Sequence, residues 1–191
     1  MAEPEVRGNC LIGTLKFIRE EYQGEQLQGI LSAVGNDWLA TCERAEDKGF
    51  YPARYFSQGL RAVAEAHPED FELARTQVVG VGRCISSASV AGFMRLLMRM
   101  MTPRVLAQKL PDLFSRDFRH TRAYVTVDTK DLADNVLHCH FLEMGELPYV
   151  PCAAQGWVYN GLTAMGCSNV KLEGLDADWN CNDGTFKVSW T

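Results

Sequence analysis

The sequence lacks most of the features that mark a function at sight. It has no basic excess: 24 acidic residues outnumber 19 basic ones, giving a formal net charge of −5. That balance argues against a general nucleic-acid binder. The N-terminal stretch Met1 to Arg7 has neither the basic start nor the apolar run of a secretory signal. No segment approaches the roughly 20 uninterrupted apolar residues a membrane span needs. The most apolar one, between Ser89 and Met101, is broken by Arg95 and Arg99. There is no repeat, low-complexity tract or linker. The seven cysteines, Cys10, Cys42, Cys84, Cys139, Cys152, Cys167 and Cys181, are odd in number and widely scattered. They read as reduced, mostly buried thiols of a cytoplasmic protein.

The residues present pattern into an α+β fold, expected as one domain over 1–191. Hydrophobic residues form 47% and charged residues 23% of the chain, which is ordinary globular composition. Leu11, Leu15 and Ile18 fall on one helical face, and Leu27, Ile30, Leu31 and Val34 on another, closed by Gly35-Asn36-Asp37. Pro52 opens a helix carrying Tyr55, Phe56, Leu60 and Val63, and His67-Pro68 interrupts it. A helix restarts through Phe71 and Val78, and the run Ala88 to Met101 reads as a helix packed on most sides. Thr102-Pro103 is a cap followed by proline at the first helical position, and that helix is expected to stop near Pro111.

After Phe118 the period changes to 2. Ala123, Val125 and Val127 alternate with Arg122, Tyr124 and Thr126, and Asn135 to Leu142 alternates likewise, so the two form a hairpin. A helix from Cys152 to Met165 stopped by Gly166 follows, then strands at Asn169 to Leu172 and Thr185 to Trp190. The helical part is thus about 1–118 and the sheet-rich part about 119–191.

The densest chemistry is His138-Cys139-His140, where a strand points both imidazoles to one face. With a further ligand such as Cys152 or Cys181 they could hold zinc, yet no CxxC or HExxH spacing supports this. A solvent face or a dimer surface explains the pair without a metal and is the expected reading. Cys152 stands where a helix starts, which would favour its thiolate. Asp176, Asp178 and Asp183, with Asn180 and Asn182, lack the order of a calcium loop. Gly80-Val81-Gly82 has no third glycine and no preceding strand, so close helix packing explains it better than a dinucleotide loop. Met94, Met98 and Met101 recur at helical spacing beside Phe93 and Leu97, as core or as the wall of an apolar pocket.

This layout resembles the superfamily of the four-vinyl-reductase domain, the haem-NO-binding domain and the Bet-three-like trafficking subunits. The stretches Arg75 to Gly80, Thr102-Pro103-Arg104-Val105-Leu106 and Leu110-Pro111-Asp112-Leu113-Phe114 are similar to an uncharacterised paralogous family of myxobacteria. The resemblance implies a homodimeric ligand-binding or scaffolding fold with an apolar cavity between helices and sheet. Its sensory members carry a zinc held by a glutamate and cysteines; Cys152 and Cys181 occupy comparable places, while the final strand offers no further cysteine. Its haem-binding members use a proximal histidine and a Tyr-x-Ser-x-Arg clamp. The clamp is absent here and His67 is poorly placed, so the expectation is against haem.

The resulting expectation is a non-enzymatic regulatory or sensory domain that binds a small apolar ligand or a protein partner. Its pocket would be formed by Phe93, Met94, Leu97, Met98 and Met101 with Tyr124, Phe141, Trp157 and Tyr159. A filled interaction scaffold and a metal-dependent enzyme built on His138 and His140 are the alternatives.

Overall fold

The computed structural model describes residues 2–89, 98–174 and 183–191, apart from the side chains of residues 88 and 89. Its longer helices are α1 (Gly8–Glu21), α2 (Gly24–Arg44), α3 (Ala53–Glu65), α4 (Phe71–Ser89), α5 (Pro103–Asp117) and α6 (Val150–Met165). The strands are β1 (Glu5–Arg7), β2 (Phe50–Pro52), β3 (Phe118–Arg119), β4 (Tyr124–Asp128), β5 (Val136–Leu142), β6 (Lys171–Glu173) and β7 (Gly184–Ser189). This is the α+β class that the change of period predicts. Among the described residues no helix is long and apolar enough to cross a membrane.

Each helix follows from a local rule. α2 bends at Gly35, where φ is 74°, a backbone state that residues with a side chain seldom adopt. α5 starts at the Thr102 cap, whose hydroxyl accepts from the Val105 N–H at 3.4 Å, and Pro103 follows without needing a partner for a missing N–H. The expected stop near Pro111 is corrected: α5 continues to Asp117. One helical hydrogen bond is lost at Pro111. Burial of Leu110 and Phe114 on the same face offsets it.

Two antiparallel sheets complete the fold, ordered β2-β1-β3 and β4-β5-β7-β6. In the larger sheet Val125 faces Phe141, Val127 faces Cys139, and Cys139 faces Phe186. The hairpin register therefore turns Val125, Cys139, Phe141, Phe186 and Val188 inward, and Thr126, His138, His140 and Lys187 outward. The smaller sheet was not legible from pattern, because its strands have two or three residues each.

α4 and α6 make the tightest helix crossing. A Cβ on Gly82 would lie 1.7 Å from the Ala153 carbonyl oxygen, and one on Gly156 would lie 1.9 Å from that of Val79. Both distances are far inside contact range, so only glycine permits this approach. The packing account of Gly80-Val81-Gly82 is what the structure shows. The crossing fixes α6 between α4 on one side and the sheet and α5 on the other.

Candidate functional site

An apolar cavity lies where α5, α6 and the inner face of the larger sheet converge over the middle of α4. Phe56 of α3, Gly82 and Ile85 of α4, and Leu110 and Phe114 of α5 line it. Phe118, Val125 and Phe141 line the β side, and Val150, Ala153, Ala154 and Trp157 come from α6. Its volume is about 70 Å³, roughly half that of a cavity that admits benzene, ~150 Å³. The room exists because α4 and α6 present Gly82, Ala153 and Ala154, whose side chains do not fill it.

Aromatic rings make the wall rigid. Phe114 stacks on Phe118 at 4.5 Å between centroids and meets Phe141 edge-on at 6.0 Å. Phe141 in turn stacks on Phe186 at 5.7 Å. Such pairs hold one another in place beyond the benefit of burial alone.

Polarity enters at one end. Asp117, 7% exposed, accepts from Arg116 Nε at 2.8 Å and Nη2 at 3.0 Å, with Arg7 Nη1 at 3.5 Å. Beside it lies Cys10, whose thiol is pushed up first by burial and then by the Asp117 charge. Among the described lining residues these two are the polar ones, so the cavity holds a neutral thiol and a paired carboxylate rather than a nucleophile with a base.

The predicted pocket residues divide. Phe141 and Trp157 line the cavity. Tyr124 is 44% exposed, on the outer face of β4, because alternation places it opposite Val125. Tyr159 packs outside under the Arg83 guanidinium, 3.9 Å from its ring centroid. Met98 is buried next to Gly161, and Met101 donates its N–H to the Met98 carbonyl; neither lines the cavity. Phe93, Met94, Leu97, Arg95 and Cys181, with Asp176, Asp178, Asn180 and Asn182, lie outside the described residues.

The sequence understated α3, α4 and α5, which supply Phe56, Ile85, Leu110 and Phe114. The usable signal was the cluster of small residues, Gly82 on α4 and Ala153-Ala154 on α6, opposite several phenylalanines.

The idea of Cys152 as a reactive thiol is corrected. It is 0% exposed, its Sγ donates to the Arg75 carbonyl at 3.6 Å, and burial pushes the thiol up to about 12. Cys139 is pushed up to about 12 for the same reason. In the folded chain these thiols keep their protons above pH 9, the ordinary thiol range, where an unfolded chain loses them. Stability is therefore full below about pH 9 and falls as pH rises toward 12, by about 1.4 kcal/mol per pH unit for each such thiol. Urea midpoints from pH 8 to 10.5 check this; an unchanged midpoint would contradict it. At pH 8 a thiol reagent is expected to label the half-buried Cys84 and Cys167 in the folded protein, and Cys139 and Cys152 only after unfolding.

No protein-family model and no curated protein matches the chain. Solved structures do. An H-NOX protein from K. algicida, Fe(II) and unliganded, aligns over 97% of this chain and 96% of its own, with TM-score 0.65 and 11% identity. A variant H-NOX from S. oneidensis in the Fe(II) state gives TM-score 0.66 at 8% identity, again covering 97% and 96%. The IWP-051-bound H-NOX from Shewanella woodyi, in the Fe(II)CO state, gives 0.55 at 16% identity, covering 96% and 94%. The chain has the H-NOX fold. Of the folds suggested by the sequence, the haem-NO-binding one is the fold these structures share.

Both cofactor expectations need correction. Setting haem aside rested on an absent clamp motif and on His67, and the fold overturns that expectation, because the structures that share it are Fe(II) H-NOX proteins. Among the described residues no three His, Cys, Asp or Glu side chains gather as a metal site, so His138, His140 and Cys152 form no zinc set there. His138 turns to Asp131 at 3.3 Å, His140 to Thr185 at 3.1 Å, and Cys152 faces α4.

Haem, the group implied by the H-NOX fold, can be tested against the residues present. His67 lies by Tyr22 at 3.4 Å and His120 by Glu5 at 3.7 Å, so with His138 and His140 outside, no imidazole borders the cavity. The described lining, with about 70 Å³ of room, does not fit an axially ligated haem.

Proposed function

We propose that this chain is a non-enzymatic sensory domain that takes a small apolar ligand of a few heavy atoms into the cavity between α5, α6 and the sheet. The observation that carries this reading is unfilled apolar space walled by aromatic rings, with Asp117 and Cys10 as its polar end. Its lining gains dispersion contacts when an apolar guest enters. The H-NOX fold supports a sensory role. Association as a homodimer, implied by the family resemblance, belongs to the same proposal.

Binding at this site is coupled to the rest of the molecule through α6. A guest touching Ala153 and Trp157 presses on the helix that glycine locks to α4, so a shift at the cavity moves both layers together. That coupling is how an apolar guest would be sensed without chemistry.

The test is xenon, read by methyl NMR. Leu110, Val125 and Val158 methyl signals are expected to shift saturably with xenon pressure, while Leu27 and Leu39 signals stay. Shifts spread evenly over all methyl groups would contradict the reading. The H-NOX fold favours a second reading, a haem-bearing sensor. Absorbance during titration with ferrous haem separates the two: a Soret band saturating at one equivalent would assign the cavity region to haem.

A further inference from the structure

The far side of α4 and α6, away from the apolar cavity, holds a groove of about 260 Å³. One stripe of α4 forms its wall: Glu72, Arg75, Thr76, Val79 and Arg83, spaced so that all share a helix face. Gln155 of α6 and Leu172 of β6 close it.

Gln155 is the unusual member. The glycine crossing pins it against α4, leaving it 1% exposed, and among the described residues its Nε2 has no hydrogen-bond partner. A buried donor left unpaired is destabilising, whereas an apolar residue there would carry no such cost. An unpaired donor thus lies just beneath the groove surface, where an acceptor in the groove would pair it.

The cations beside it are also available. Arg75 makes no ion pair among the described residues. Arg83 uses the face of its guanidinium on the Tyr159 ring, which leaves the in-plane N–H groups for an acceptor. Against these two positive charges the described lining sets Glu72 alone. The lining therefore matches a monoanion better than a dianion, and Val79 and Leu172 offer contact to an organic body.

We propose that this groove is a second binding site, specific for a small organic carboxylate held by Arg75, Arg83 and the Gln155 amide. It is independent of the apolar cavity and of the reading given to it.

The test follows the Gln155 side-chain NH₂ signals by ¹H–¹⁵N NMR during titration with sodium benzoate, then inorganic phosphate, at constant ionic strength. Benzoate is expected to shift them saturably and to bind more tightly than phosphate. Arg75→Ala is expected to weaken benzoate by about ten- to a hundredfold, the equivalent of one charge-assisted hydrogen bond of ~1.5–3 kcal/mol. Arg83→Ala provides a second variant, and unchanged melting of either shows that folding is intact. No saturable shift, equal affinity in both variants and the parent chain, or tighter binding of phosphate would each overturn the proposal.

Discussion

Gly82→Ala and Gly156→Ala are each expected to destabilise the protein by about 3 kcal/mol, at or beyond the upper end of ordinary overpacking. The added methyl group would sit 1.7 Å from the Ala153 oxygen in the first case and 1.9 Å from the Val79 oxygen in the second. Both neighbours are helix backbone, which cannot swing aside as a side chain tip can. Relief requires α4 and α6 to separate, and separation strips contacts along the whole crossing. For a chain of this size the melting temperature should fall by about 6–12 °C. Gly29→Ala is the control: nothing lies within 4 Å of its Cβ position, and alanine inside a helix gains about 0.5–1 kcal/mol over glycine. Calorimetry that found Gly156→Ala as stable as the parent would show that the helices are not held at this distance.

Phe141→Ala is expected to cost about 3–5 kcal/mol and to convert the cavity into one that accepts benzene. Phe141 is 1% exposed and contacts both Phe186 and Phe114, so its removal ends two ring pairs, each worth about 0.5–1.5 kcal/mol beyond burial. The space it vacates joins the existing cavity beside Val125, Phe114 and Trp157. Benzene at 100 times its dissociation constant would restore about 2.7 kcal/mol, visible as a rise in melting temperature of the variant with little change in the parent chain. A variant that loses stability but gains nothing from benzene would show that the wall collapses into the space.

The sequence was legible wherever a residue pattern repeats over several turns or alternations. The Leu11–Leu15–Ile18 helix, the β4–β5 hairpin and the helix stopped by Gly166 all follow from period and punctuation. β1, β2 and β3 do not, because two or three residues carry no period and their pairing joins positions about 45 and 110 residues apart along the chain. The end of α5 was misjudged because Pro111 is a local breaker, while Phe114 is retained in the helix by long-range ring contacts.

The candidate site was harder to see, since a cavity is defined by what side chains fail to fill. Phe141 could be placed from strand alternation, and the same alternation sends Tyr124 to the outer face. Local cofactor motifs mislead in a related way. A histidine and a short clamp motif are local signals, whereas the H-NOX fold is a property of the whole chain and persists here at 8–16% identity.

Diffraction from a xenon-pressurised crystal decides whether the cavity takes an apolar guest. One strong xenon peak is expected between Phe114, Phe141, Ala153 and Trp157, lost or displaced when Ala154→Leu fills the space. Xenon bound only elsewhere, or no peak at the cavity at any pressure, would contradict it.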